Sequence, residues 1–350
     1  MLVNYIKGQL KRRWIPMAVV SVLGVVIVIA MGDRPSDYEV NEMNLTFAPY
    51  FSTVLTVMAM WAMLVPIMQF ADYMSKRNVD TVFALPVKRT SLMTAELICS
   101  AVQVLVPYTV MFLFWFLYRI TGKACFDPSW VPVMYLWGMW VLLVQMLLAA
   151  FWTMNANTLW DAVIFVLLGV FLPDVARGSL EYIGVEFSTV LDENFLSFYG
   201  DVMCITENLE RFIFLEYLHS EAEWVHRYTE LWAITPKGIA LALTIWSAVG
   251  VAAVYGIRKA FATRRAEDIE GTSDSLFGYK LILPIYSVGG MLFATDMFAS
   301  EMLYIIGLAI ILTGFAIYRR GFRLKRWDIV FIAAMAVMAY SGLFAAMIKR

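Results

Sequence analysis

Three groupings of polar and ionisable residues have a spacing that could do chemistry. Glu96, Ser100, Gln103 and Pro107 are separated by four, three and four residues, so on a helix they form one stripe. Inside an apolar run such a stripe either lines a translocation path or joins helices through hydrogen bonds. Glu96 lies only about 8 Å from the start of its run at 1.5 Å per residue, within reach of an interface. Glu216, His219, Glu223, His226 and Glu230 also share one face if helical. A divalent metal could take His219 with Glu223 or His226. A solvated face opposite Phe212, Phe214, Leu215 and Leu218 accounts for the same pattern, and the expectation is an interfacial helix without a metal. Of the three cysteines, Cys99 lies in an apolar run, whereas Cys125 and Cys204 lie in polar segments, where they either pair or remain free thiols.

The chemistry that is missing narrows the function. No G-x-x-x-x-G-K-[ST] loop occurs, and Gly122-Lys123 lacks the upstream glycine of such a loop. No H-E-x-x-H occurs either. Catalysis or ion coupling within a bilayer needs several ionisable groups meeting there, and only Glu96 is clearly inside an apolar run. No catalytic residue and no cofactor are therefore assigned to this chain, and it is not expected to be an enzyme. A net charge of −1 offers nothing to a nucleic acid.

The elements that must carry these residues are membrane spans. The 350 residues are 61% hydrophobic and 16% charged, against about 25% charged in soluble domains. Apolar runs of about 20 residues recur, and in hydrocarbon such runs must be helical because the backbone has no water to bond. The expected fold is an all-α polytopic membrane protein with about nine transmembrane helices. Residues 1–13 read as an amphipathic helix on the membrane, with Val3, Ile6, Leu10 and Trp14 on one side and Lys7, Lys11, Arg12 and Arg13 supplying the basic side. Transmembrane helices one to five occupy 14–172, with a cytoplasmic loop at 72–90. The fifth, from about Ala162, either continues past Pro173 with Asp174 and Arg177 paired or ends in a kink. An acidic extracellular segment fills 173–236, and helices six to nine fill 237–350. In the sixth, Ala248, Ala252 and Gly256 repeat small residues that permit close helix approach.

Eighteen of the 27 Lys and Arg residues fall on one side if the spans alternate, which makes the N-terminus cytoplasmic in the cell membrane. The opposite side carries twelve Asp and Glu between Pro173 and Trp232.

The cytoplasmic stretch Lys76-Arg77-Asn78-Val79-Asp80-Thr81-Val82-Phe83-Ala84-Leu85-Pro86-Val87-Lys88-Arg89 is unusual for a loop. Asn78 can cap a short helix with Asp80 in its first turn, where a negative charge suits the dipole. Val79, Val82 and Phe83 share one face, and Pro86 stops the helix and extends Leu85. This apolar face either fills a groove on a soluble partner or packs under its own bundle.

The stretch Arg77–Arg89, ending Leu85-Pro86-Val87-Lys88-Arg89, resembles the cytoplasmic loop of ABC-2-type transporter permeases. The basic N-terminal helix is similar to that family's connecting helix. The sequence Arg264-Arg265-Ala266-Glu267-Asp268-Ile269-Glu270-Gly271 resembles a charged loop of Gram-positive permeases. The resemblance implies the membrane subunit of an exporter, with Asp80, Val82, Phe83, Leu85, Pro86 and Arg89 coupling it to a separate ABC ATPase in two copies. ATP and Mg would reside in that partner, and a second permease, identical or a sister chain, would complete the path that Glu96, Ser100 and Gln103 line. From the residues alone, a sensory or immunity protein binding a peptide or lipid through the acidic segment is the alternative.

Overall fold

The computed structural model describes residues 2–30, 50–84, 87–121, 131–182 and 236–264, most of 267–298, and isolated positions at 202, 205–206 and between 312 and 337. Among the described residues every regular element is helical: α1 (Leu2–Ala30), α2 (Tyr50–Phe70) with a 3-10 turn at Ala71–Met74, α3 (Lys76–Phe83), α4 (Arg89–Thr121), α5 (Val131–Met154), α6 (Leu159–Val170), α7 (Leu172–Tyr182), α8 (Pro236–Thr263) and α9 (Tyr279–Phe298). Among the described residues, five stretches are long and apolar enough to cross a membrane: Leu2–Ala30, Phe51–Met74, Arg89–Leu117, Val131–Met154 and Ala240–Thr263. Most of the eighth and ninth expected spans and of the acidic segment lies outside the described residues.

One expected element boundary changes, and one of two alternatives at another is met. The basic turns at 2–13 and the apolar run from Trp14 form one unbroken helix, with Pro16 inside it. The expected fifth span is interrupted: α6 stops at Val170, Phe171 breaks the helix, and α7 begins at Leu172, which places Pro173 in a first turn that needs no proline N–H. At 12 residues α6 is about 18 Å long, short of the roughly 30 Å hydrocarbon core.

Contacts divide the chain into two compact units: Met1–Asp72, Asp80–Phe151 and Asp201–Arg264 form one, and Tyr73–Val79, Trp152–Gly200 and Arg265–Arg350 the other. In the first, α4 is the central helix, packed by α1, α2 and α8. Pro107 has no N–H to give to the carbonyl four residues earlier, and the freed carbonyl of Gln103 instead accepts from the Trp61 indole of α2 at 2.9 Å. Further along, Phe51, Tyr108, Phe112, Trp115 and Tyr135 form an aromatic cluster with ring centroids 5.2 to 5.9 Å apart. Tyr108 donates to the Tyr135 carbonyl at 3.1 Å across to α5. On α8, Gly256 faces Phe151, whereas Ala248 and Ala252 are exposed, so only one member of the small-residue repeat serves packing inside this unit. α1 leaves Val19, Val22, Leu23, Val26 and Ile29 exposed, an apolar surface suited to lipid and costly in water.

In the second unit α9 packs on α7 and α6. Tyr286 donates to the Leu168 carbonyl at 2.6 Å, satisfying an acceptor in the last turn of α6. Gly289 lets Val175 of α7 approach α9 closely.

Candidate functional site

Two groups of residues stand out, one in each unit. The first lies where the N-terminal turns of α1 cross the end of α2 and the start of α4. Glu96 and Gln103 of α4 and Gln69 of α2 are all about 1–2% exposed. Tyr5 of α1 donates to Glu96 Oε1 at 2.5 Å, and Gln69 Nε2 donates to Glu96 Oε2. Gln103 Nε2 donates to Gln69 Oε1 at 2.8 Å, and Gln9 Nε2 to Tyr5 Oη at 3.1 Å. Every donor in this chain points toward the carboxylate. Each bond polarises the next, so the sequence of amides and hydroxyl delivers two converging donors to one buried acid.

The same end of α1 is held at two further points. Arg13 donates to the Met68 carbonyl at 2.7 Å, and Arg12 pairs with Asp72 at 3.4 Å. Basic residues placed against the last carbonyls of α2 also suit that helix's dipole. Ser100, the third residue of the expected stripe, turns its hydroxyl back onto the Glu96 carbonyl at 2.9 Å. The stripe is thus brought together as interhelical bonding by Glu96 and Gln103, with Ser100 bonded within its own helix. Cys99, between them, is buried with its sulfur 4.0 Å from the Ile6 carbonyl. Sequence reasoning found Glu96 and Gln103 but missed Gln69 and Tyr5. A lone amide in the apolar run before Asp72 was the available signal for Gln69. Tyr5 carried none, since tyrosine is ordinary near an interface.

The second group surrounds the start of α3. The helix begins at Lys76, with the Ser75 carbonyl accepting from Val79 N–H at 3.0 Å, so Ser75 is its N-cap residue. Asn78, expected as the cap, is the third helical residue instead. No acidic residue of the helix's own occupies its first turn. The negative charge comes from Glu270, whose carboxylate lies 3.3 Å from the Lys76 backbone nitrogen and 3.7 Å from Lys76 Nζ. Glu270 is held in turn by its own N–H, bonded to the Asn157 carbonyl at 3.1 Å. Ser273 and Ser275 donate to the carbonyl and side-chain oxygen of Asn155, both at 2.6 Å. Three polar segments far apart in sequence, at 75–79, 155–157 and 270–275, therefore meet.

Of the residues expected to contact a partner, Asp80, Val82 and Phe83 lie in the second half of α3, with side chains outside the described residues. Leu85 and Pro86 lie outside them altogether, as do Cys125, Cys204 and the His219–His226 segment. Val79 is buried, and Arg89, exposed at the start of α4, donates to the Arg264 carbonyl at 3.1 Å. No family model matches the chain, and no curated protein or solved structure matches it.

Proposed function

We propose that this chain is the membrane-spanning subunit of an ATP-driven ABC exporter of the ABC-2 type, bound to a separate ATPase that holds ATP and Mg. It would pair with a second permease, identical or a sister chain, in the plasma membrane of a bacterium with its N-terminus in the cytoplasm. One observation carries the reading. An eight-residue helix, α3, interrupts the connection between two long apolar helices, and its start is fastened to Glu270, which is itself bonded to Asn157. A loop that merely joined two spans would gain nothing from being helical and anchored. A helix that receives force from a soluble engine must be both.

The absence of a nucleotide-binding motif in the sequence supports a division of labour with a partner. The test is to tag the chain in its native host, purify it in mild detergent and identify what accompanies it. An ABC ATPase whose hydrolysis rises on binding is the expected result. Phe83→Ala and Asp80→Asn should then separate hydrolysis from transport while leaving membrane insertion intact. Recovery of the chain without any ATPase, even after cross-linking at Val82, overturns the proposal.

A further inference from the structure

We propose that Glu270 is a positioning residue that caps α3 from across the sequence, so that the loop after α8 sets whether the docking helix is formed. This rests on the function proposed above. Three independent features of Glu270 converge. Its carboxylate meets the backbone N–H of Lys76, one of the donors that a helix's first turn cannot satisfy internally. The same carboxylate pairs with Lys76 Nζ, but those side chains are 51% and 59% exposed, so water screens the ion pair and the contact at the helix terminus matters more.

The third feature is backbone. Glu270 has φ of 64°, the left-handed region that side chains other than glycine rarely adopt. Glycine stands next to it at position 271, where the same conformation would have been free. The chain accepts a strained carboxylate residue one position before an available glycine. Strain kept at such a point is explained when the side chain is needed there. The Glu270 N–H to Asn157 carbonyl bond then fixes where the carboxylate is aimed.

The experiment compares Glu270→Gln, Glu270→Gly and Ser75→Asp in the full chain in lipid nanodiscs. Hydrogen exchange at the amides of Lys76 to Val79 reads the cap directly and needs no partner. Loss of an exposed anion at a helix N-terminus should speed this exchange roughly two- to five-fold. Glu270→Gly should show the same loss although it relieves the backbone strain, which separates the carboxylate's role from loop stability. Ser75→Asp supplies an anion at the N-cap and should restore protection in the Glu270→Gln background. In the complex with its ATPase, stimulation of hydrolysis should fall in Glu270→Gln and return with Ser75→Asp. Unchanged exchange in Glu270→Gln overturns the cap, and changed exchange with unchanged stimulation overturns its role in docking. A wild-type chain that captures no ATPase overturns the function proposed above, a result told apart from a failed cap by the exchange data.

Discussion

Replacing Gln69 by leucine tests whether the buried carboxylate network holds the first three long helices together. The substitution conserves approximate volume but removes two bonds at once: donation to Glu96 Oε2 and acceptance from Gln103 Nε2. Interhelical hydrogen bonds in membrane proteins average about 0.6 kcal/mol each, so the bonds alone come to about 1 kcal/mol. The abandoned groups add to this, because Glu96 and Gln103 are each 1% exposed and gain no water in return. An orphaned buried partner costs about 1–3 kcal/mol, so the expected loss for Gln69→Leu is about 2 to 4 kcal/mol. Reversible unfolding in mixed detergent and SDS micelles, followed by tryptophan fluorescence, resolves a change of that size. The decisive comparison is the cycle with Glu96→Leu. Once the carboxylate is gone, Gln69 has lost its main acceptor, so the double variant should cost at least about 1 kcal/mol less than the sum of the singles. Strictly additive costs would refute the network as a cooperative unit.

Further outcomes follow from other contacts. Arg13→Ala should destabilise measurably more than Arg12→Ala, since Arg13 bonds a carbonyl at 2.7 Å while Arg12 is in an exposed pair expected to contribute under about 1 kcal/mol; the same unfolding assay reads both. Gly169→Ala should cost more than Gly24→Ala, because a new Cβ would lie 2.2 Å from the rigid Trp152 indole in one case and 2.1 Å from the flexible Met111 thioether in the other; Gly8→Ala, with nothing within 4 Å, is the neutral control. Tyr279, at the head of α9 before its apolar run, bonds Asp161 at 2.5 Å; burial first, then that bond, raises its pKa above the ordinary 10.0. The raised value favours the neutral hydroxyl in the fold, so its contribution is complete below about pH 10 and lost as pH rises through the folded value. Unfolding measured across alkaline pH should show that loss in the wild type and not in Tyr279→Phe.

The spanning helices were legible because hydrocarbon imposes its requirement locally: about 20 apolar residues in a row are enough to identify α2, α4, α5 and α8. The stripe on α4 was legible for the same reason, since its period is a property of one helix. What the stripe bonds to was not, because Tyr5 lies 91 residues from Glu96 and Gln69 lies 27 away. The start of α3 moved for a similar cause. Asn78 is a good local cap, but Glu270, 194 residues along, supplies the terminus with its charge and lets the helix begin at Lys76. The break at Phe171 was one of two outcomes that Pro173 allowed, and the sequence offered no means of choosing between a kink and a continuous helix.

The direction of the bonds to Glu96 has a consequence for biosynthesis. Tyr5 and Gln69 both precede the acid in the chain, so the ribosome releases both donors before the carboxylate they serve. An acid entering hydrocarbon alone is costly, and α4 would be the hardest of the long helices to insert unaided. Here it arrives beside two helices that already present a hydroxyl and an amide. A chain rearranged so that α4 is synthesised before α1 and α2 would lose that order, and its failures should appear as degradation during synthesis.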